Sequence, residues 1–434
     1  MKTIRPFYPT NTKKLLERCI HIPADKSISH RALLFSAIAQ GTATICNLLQ
    51  SEDVLHTMEI LRQCGVHIDA HTTKDGVVYT VHGTDDFVEP THELYCGNSG
   101  TTMRLLLGLF ASFPMKVTVT GDASLQKRPM KRITHILEQL GIQCEGSDSA
   151  NLAPITISGT RNVPFFEHHM SVESAQVKTA LALLALRCNG GIIRGGGSSR
   201  DHTEKMFRSM GIQCVDLGGG DIQVFPGRLQ AKDITVPNDF SSAAFFIALG
   251  VLLPNSRFVL PNILVNPTRT GFLETLLEMG AQINIENLRH IQGEEVGDIM
   301  VCSSSLVGVH IPITRIPTMI DELPILAIVA SQARGQTLVQ GALDARNKES
   351  DRIKATVEMI TNLGMDITEI EDGWRMEGPQ CIQGGQVSSF ADHRIAMSAA
   401  IAGLVAQNPV TIDSVACVQT SFPQFFEIVD DLAV

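Results

Sequence analysis

Five ionisable side chains crowd one short stretch of this chain, "DARNKESDRIK" at 344–354: Arg346, Lys348, Glu349, Asp351 and Arg352. Both signs interleave in a protein whose charged fraction is only 18%. Taken alone, the stretch reads as a solvated helix start, with Lys348 and Arg352 four apart on one face and outside any core. Related clusters elsewhere change that reading. "DKSISHR" (25–31), "GNSGTTMR" (97–104), "SAQVK" (174–178) and "DHR" (392–394) each stand where an apolar helix begins, and "DFSS" and "DELP" stand at two further such starts. A helix N-terminus presents unpaired N–H groups and the positive end of its dipole, so Lys, Arg, Ser and Gln gathered there recognise anions. The loops "GDASLQKRPMKR", "SSRDHTEK" and "NPTR" add cations at corresponding points of the chain.

The chemistry indicated is recognition of more than one phosphate or carboxylate. Arg clamps such a group through two donors, and Lys acts as a point charge. Glu349, a carboxylate among cations, can exchange a proton if burial shifts it. Asp321, in "MIDELPILAIV", has two readings: a proton acceptor, or merely the N-cap of the apolar run.

Groups spread over so much chain need a repeated scaffold to position them, and the sequence contains one. "EILRQCGVHI", "HILEQLGIQC", "KMFRSMGIQC", "TLLEMGAQINI" and "EMITNLGMDI" place Gly65, Gly141, Gly211, Gly280 and Gly364 after a helical pattern, about 70 to 84 residues apart. Each glycine suits the residue just past a helix, where φ is usually positive. "FFEIVDDLAV" begins a sixth copy. Ahead of each comes an apolar helix such as "KTALALLALRCNG" and a short β-branched strand such as "KVTVTG". Helices alternating with short strands predict an α/β fold, and no repeat is long enough to form a domain by itself. Three repeats per domain give a first domain over 21–233 and a second over 234–434, with a ligand cleft expected between them.

Composition excludes several classes. At 434 residues, 44% hydrophobic and net charge −10, the chain is globular and unsuited to coating nucleic acid or an anionic membrane. One Trp, three Tyr and 5% aromatic residues make a poor base-stacking surface. The ten Cys show neither C-x-x-C pairs nor zinc spacing, and "MKTIRPFYPTNTKKLLERC" has no uninterrupted apolar segment of the secretory kind. A cytoplasmic protein with reduced thiols is expected. P-loop, dinucleotide-binding, nucleophile-elbow and metalloprotease motifs are absent.

Ten motifs, in order along nearly the whole chain, closely resemble the 5-enolpyruvylshikimate-3-phosphate synthase family: "DKSISHRALL", "GNSGTTMRLL", "GDASLQKRPM", "SAQVK", "RDHTEK", "NPTRTG", "DELPILA", "NKESDRI", "DHRIAM" and "TSFPQF". "SAQVK" with "RDHTE" and "NPTR" is similar to the branch called class II, which includes glyphosate-tolerant members. The resemblance implies two domains, each of three β/α units around a pseudo-threefold axis, the inside-out barrel of the enolpyruvyl transferases, with the active site in the interdomain cleft. It also implies that residues 1–20 join the second domain. The implied reaction moves the enolpyruvyl group of phosphoenolpyruvate to the 5-hydroxyl of shikimate 3-phosphate, on the route to chorismate and the aromatic amino acids. It passes through a tetrahedral ketal, releases phosphate, and uses no cofactor and no metal.

Carried over by motif, Lys26, Ser27, Arg31, Ser174, Ala175, Gln176, Arg200, Asp321 and Lys348 would hold shikimate 3-phosphate. Lys26, Gly100, Arg128, Gln176, Arg352 and Arg394 would hold phosphoenolpyruvate. Asp321 would take the hydroxyl proton, Glu349 would protonate the enol methylene, and Lys26 would lie between the two ligands. The expected partners are these two small molecules alone, with the chain a monomer. Two departures stand out: Thr420 precedes the last Ser-Phe-Pro where many relatives carry Lys, and Ala175 stands where some have a second Ser. The sister transferase acting on UDP-N-acetylglucosamine typically has a reactive Cys near the Arg128 region, and "GDASLQKRPMKR" has none. A non-catalytic anion-binding scaffold is the remaining alternative.

Overall fold

The computed structural model describes residues 1–7, 15–74 and 76–432. Residues 8–14 of the leader, expected to join the second domain, and the last two residues of the sixth repeat lie outside the described residues. The chain forms two compact units: Ala24–Pro237 with Ile291–Glu294, and Met1–Pro23 with Asn238–His290 and Glu295–Val434.

Each repeat of the first unit runs helix, strand, helix, then a pair of antiparallel strands. In the first, helix Lys26–Ala37 leads to strand Thr42–Cys46, helix Glu52–Gln63, and strands His67–Thr73 and Gly76–His82. Thr42–Cys46 pairs antiparallel with Gly76–His82, which pairs antiparallel with His67–Thr73. A fourth, parallel strand at the edge, Ile234–Thr235, comes from the end of the unit. The same order recurs around Lys116–Thr120, with Leu94–Tyr95 as parallel edge, and around Gly191–Arg194, with Phe166–His169 as parallel edge.

The second unit repeats this plan with two borrowed strands. Leu16–Cys19 supplies the parallel edge beside Ser256–Leu264. In the last sheet Lys2–Ile4 lies antiparallel to Val410–Ile412, in the place a hairpin strand fills elsewhere.

The two helices of a repeat have different jobs, and their sequences show it. Every residue from Phe240 to Val251 of helix Phe240–Leu252 is buried, as are Leu323 to Ala330 and His393 to Leu404 in their helices. Such helices, apolar all round, belong to the centre of a unit. By contrast, helix Lys131–Gln139 buries only Ile133, Thr134, Ile136 and Leu137, a single stripe. Close packing of inner helices demands small residues: a Cβ on Gly108 would lie 2.4 Å from Ala180 Cα of the neighbouring helix.

All five repeat glycines adopt φ between +82° and +95°. At Gly141 the Ile142 N–H bonds the Leu137 carbonyl at 2.9 Å, and the same closing bond recurs at Val66, Ile212, Ala281 and Met365. This bond satisfies a carbonyl the helix end leaves over, and the buried apolar residue after each glycine anchors the following strand. No helix among the described residues is long and apolar enough to cross a membrane. Nothing lies within 4 Å of a Cβ built on Gly141, so its conformation alone selects glycine. Gly141→Ala is expected to lower the unfolding free energy by about 1–2 kcal/mol and Gly141→Asn by less, read from denaturant midpoints; an unchanged midpoint for Ala would show that the turn does not require positive φ.

Candidate active site

In the first unit, three inner helices begin with a side-chain cap: Asp25 accepts from the Ile28 N–H at 2.8 Å, Ser99 from Thr102 at 3.1 Å and Ser174 from Val177 at 3.4 Å. The cap holds one first-turn donor, and the others at such an end have no intrahelical partner. Around the first start, Lys26 Nζ lies 3.0 Å from Asp53 Oδ2, and Arg200 Nη1 donates to Ser27 Oγ at 3.1 Å. Arg31 is buried and donates to the Ser27 carbonyl and the Thr203 and Thr179 hydroxyls at 2.7–2.9 Å. Burial pulls its pKa down to about 10, against the raising effect of Glu204, so it stays cationic at neutral pH. Arg31 thus braces Ser27, and three of its five donors are already used.

A second set gathers at the other two starts. Gly100 opens helix Gly100–Phe110, and Arg104, one turn on, donates to Gln176 Oε1 at 2.7 Å. Gln176 Nε2 donates to Thr101 Oγ1 at 2.8 Å. Gln176 follows Ala175, the first residue of helix Ala175–Arg187 after its cap Ser174. A Cβ on Gly100 would lie 3.1 Å from Arg104 Nη1 and 3.5 Å from Arg128 Nη1, so this glycine lets two guanidinium groups approach. Arg128 bonds the Asn98 carbonyl and side chain. Lys178, the cation of "SAQVK", is spent elsewhere: its Nζ lies 2.6 Å from Glu204 Oε1 in a buried pair.

In the second unit the stretch 344–354 folds differently from the sequence expectation. Leu343–Asn347 is a 3₁₀ turn, Lys348 has extended backbone, and the helix starts at Arg352 with Asp351 as its cap. Lys348 and Arg352 therefore share no helix face, because the Asp351 carboxylate caps the Lys354 N–H and starts the helix between them. Nor does Arg352 lie outside the core. It is 2% exposed, donating through Nε to Asp392 Oδ2 at 2.8 Å, through Nη1 to Asp321 Oδ1 at 2.9 Å and through Nη2 to Glu349 Oε2. Burial alone would lower its pKa; the Asp392, Glu349 and Asp321 charges outweigh burial and raise it. Lys348 Nζ lies 3.5 Å from Asp344. Asp321 is not a cap: helix Leu323–Ala330 has Glu322 at that position, and Asp321 faces Arg352 instead.

Arg394, at the start of helix His393–Val405, donates from Nη1 to the Ser241 carbonyl at 3.0 Å, while its buried Nε has no hydrogen-bond partner among the described residues. Burial pushes the Glu322 carboxyl up, aided by Asp321, with Arg394 and Arg269 acting against it. Thr420 donates to the Cys417 carbonyl at 2.7 Å.

Sequence reasoning missed Asp53, Arg104 and Asp392 as members of these clusters. Arg104 and Asp392 carried a signal, since one follows Gly100 by a single turn and the other precedes an apolar helix as Asp25 does. Asp53 carried none.

Two units of three β/α repeats, with basic side chains and opposed carboxylates at the starts of inner helices, define an α/β group-transfer protein of the enolpyruvyl transferase fold. The sequence model of EPSP synthase (3-phosphoshikimate 1-carboxyvinyltransferase) matches residues 10–429. A 3-phosphoshikimate 1-carboxyvinyltransferase of Alkaliphilus metalliredigens is 43% identical over 96% of this chain and 98% of its own. One of Bacillus subtilis is 40% identical over 95% and 96%. EPSP synthase of Acinetobacter baumannii superposes with TM-score 0.86 at 38% identity, covering 99% of this chain and 97% of that one. The enolpyruvyl transferase NikO of Streptomyces tendae, at 17% identity and TM-score 0.76, shares the fold. The chain belongs to the EPSP synthase family.

Arg352→Ala is expected to destabilise the protein by about 3–5 kcal/mol, because it strands the buried Asp392 carboxylate. Lys348→Ala, at a partly exposed site, should leave the unfolding midpoint within experimental error. Equal midpoints for the two variants in chemical denaturation would contradict this placement of Arg352.

Proposed function

We propose that this chain is a 3-phosphoshikimate 1-carboxyvinyltransferase: it transfers the enolpyruvyl group of phosphoenolpyruvate to the 5-hydroxyl of shikimate 3-phosphate and releases phosphate. The observation that carries the reading is Arg352 holding Asp321 and Glu349 on its two terminal nitrogens. One guanidinium that can take a substrate anion is flanked by two carboxylates, and addition followed by elimination needs one base and one acid.

In the reading supported by these contacts, Arg352, Arg394, Arg128, Gln176, Gly100 and Lys26 receive phosphoenolpyruvate. Lys26, Ser27, Arg31, Ser174, Ala175, Gln176, Arg200, Asp321 and Lys348 receive shikimate 3-phosphate. A substrate carboxylate entering at Arg352 exchanges with the outer carboxylates, while the fully buried Asp392 stays in place. Asp321, so released, takes the hydroxyl proton as the oxygen bonds to the enol carbon, and Glu349, protonated from solvent once it leaves Arg352, delivers that proton to the methylene carbon. The tetrahedral ketal then collapses: the methyl group returns a proton to Glu349, the carbon–oxygen bond to phosphate breaks, and phosphate leaves with the proton that Asp321 had taken. Fixed cations at these points offset the charge that develops on the transferring group. Because both sets of groups lie on one chain, no second copy is needed to complete them, and we take the enzyme to act as a monomer. The ten unpaired cysteines suit the cytoplasm.

Phosphate release from phosphoenolpyruvate, assayed with shikimate 3-phosphate or UDP-N-acetylglucosamine as acceptor, tests the reading. Turnover with the first alone is expected; turnover with the second alone, or with neither, would refute it. Glu349→Gln should cut kcat by at least about a hundredfold, the usual contribution of a general acid–base group, with Tm nearly unchanged. The Cβ geometry at Gly100 yields a further expectation. Gly100→Ala crowds the Arg104 and Arg128 guanidinium groups, and overpacking a filled site costs about 1–3 kcal/mol. The wild-type enzyme is expected to be sensitive to glyphosate, and Gly100→Ala to raise its inhibition constant by more than it raises KM for phosphoenolpyruvate. Equal rises in both would remove the steric explanation.

A further inference from the structure

We propose that His67, Asp69 and His82, on the outer face of the first sheet, form a binding site for one divalent transition-metal ion of the zinc class. Strand alternation places them. In strands Thr42–Cys46, Gly76–His82 and His67–Thr73, Ala43, Val81 and Ile68 align in one inward, buried row. The neighbouring row on the opposite face is Thr42, His82 and His67, and the next is Thr44, Thr80 and Asp69. Successive side chains of a strand point to opposite faces, so Asp69 lies on the same face as His67. Directly paired residues of antiparallel strands have Cβ atoms about 4.5–5.5 Å apart, which brings the two imidazoles side by side.

The ligand atoms already converge. Asp69 Oδ2 lies 3.1 Å from His67 Nε2 and 3.2 Å from His82 Nε2, and all three atoms fall within 4.8 Å of one another. Two ligands about 2.0–2.2 Å from one ion, at the angles of tetrahedral or octahedral coordination, stand about 3.0–3.4 Å apart. The spacings found are edges of such a polyhedron. The outer nitrogen of one imidazole is also fixed: His82 Nδ1 lies 3.2 Å from Thr42 Oγ1. A metal-binding histidine commonly has its other ring nitrogen held in this way, which sets its tautomer and orientation. Two imidazoles and one carboxylate suit zinc, cobalt or nickel, and water completes the coordination of an exposed site.

A second group of ligand types shows what a cluster that already holds a protein cation looks like. Asp201, His202 and Glu294 also converge, but Lys205 Nζ lies 3.1 Å from Asp201 and 3.4 Å from Glu294, so a cation is already built in. Among the described residues Asp69 is paired with the two imidazoles and with no Lys or Arg.

Metal-stripped protein titrated with Zn²⁺ by calorimetry, and with Co²⁺ by visible absorption, tests the site. One equivalent should bind tightly, and Zn²⁺ should raise Tm by mass action. His67→Ala, His82→Ala and Asp69→Asn should each weaken that binding at least tenfold. Thr42→Val, which touches no ligand atom, should weaken it about tenfold through the orientation of His82. All four positions are on the surface, so folding should be unaffected. The proposal fails if wild type binds no Zn²⁺, or if the His67→Ala/His82→Ala double variant binds it with the same affinity and stoichiometry.

Discussion

A guanidinium taken out of bulk solvent needs close, well-directed partners, and in the second unit Arg352 finds them in three carboxylates. Removing an ion from water costs several kcal/mol, and the loss is recovered only by close, well-directed partners. Asp392 supplies the permanent one: fully buried, it accepts from Arg352 on both oxygens and caps the Arg394 N–H with Oδ1. One carboxylate therefore fixes the start of an inner helix and the position of a cation from a different repeat. Asp321 and Glu349, both less buried, complete the neutralisation from the remaining side.

The first unit solves the same problem by other means. Arg31 is held by hydroxyls and a carbonyl, so its charge is only partly compensated and burial depresses its pKa. Lys178 is neutralised outright by Glu204. The cations left nearer the surface, Lys26 and Arg200, stand at the start of the same helix as Ser27, where fixed backbone donors reinforce them. In both units the body of an inner helix is apolar and its N-terminal end is polar. The core thus determines where each charged group stands, and the repeat carries the same division of labour from one helix to the next.

The periodic features were legible in the sequence because they depend on local chemistry. Glycine after a helix, a polar cluster before one, and an apolar run too uniform for a surface helix are each read from a few neighbouring residues; Gly65 to Gly364 and the inner helices are legible in this way, whereas the capping roles of Asp25 and Ser99 come from the structure. The placement of charges was less legible. Lys348 and Arg352 look like one helical face until Asp351 starts the helix between them, and only the fold shows that Arg352 is buried. Asp53 meets Lys26 through the packing of two helices, and Arg104 meets Gln176 across two repeats; neither pairing leaves a trace in sequence spacing.

What the sequence determined by itself was the α/β class, the sixfold repetition and the types of residue at the helix starts, because hydrophobic period, turn conformation and capping act over less than one element. What the tertiary structure decided was which cation meets which carboxylate, that Asp321 serves no cap, and that the leader strand Lys2–Ile4 completes the last sheet. Those outcomes depend on distances between segments far apart in the chain, and the energy of a charge depends on the solvent it loses and the partners it finds there. Residue order alone holds no record of either.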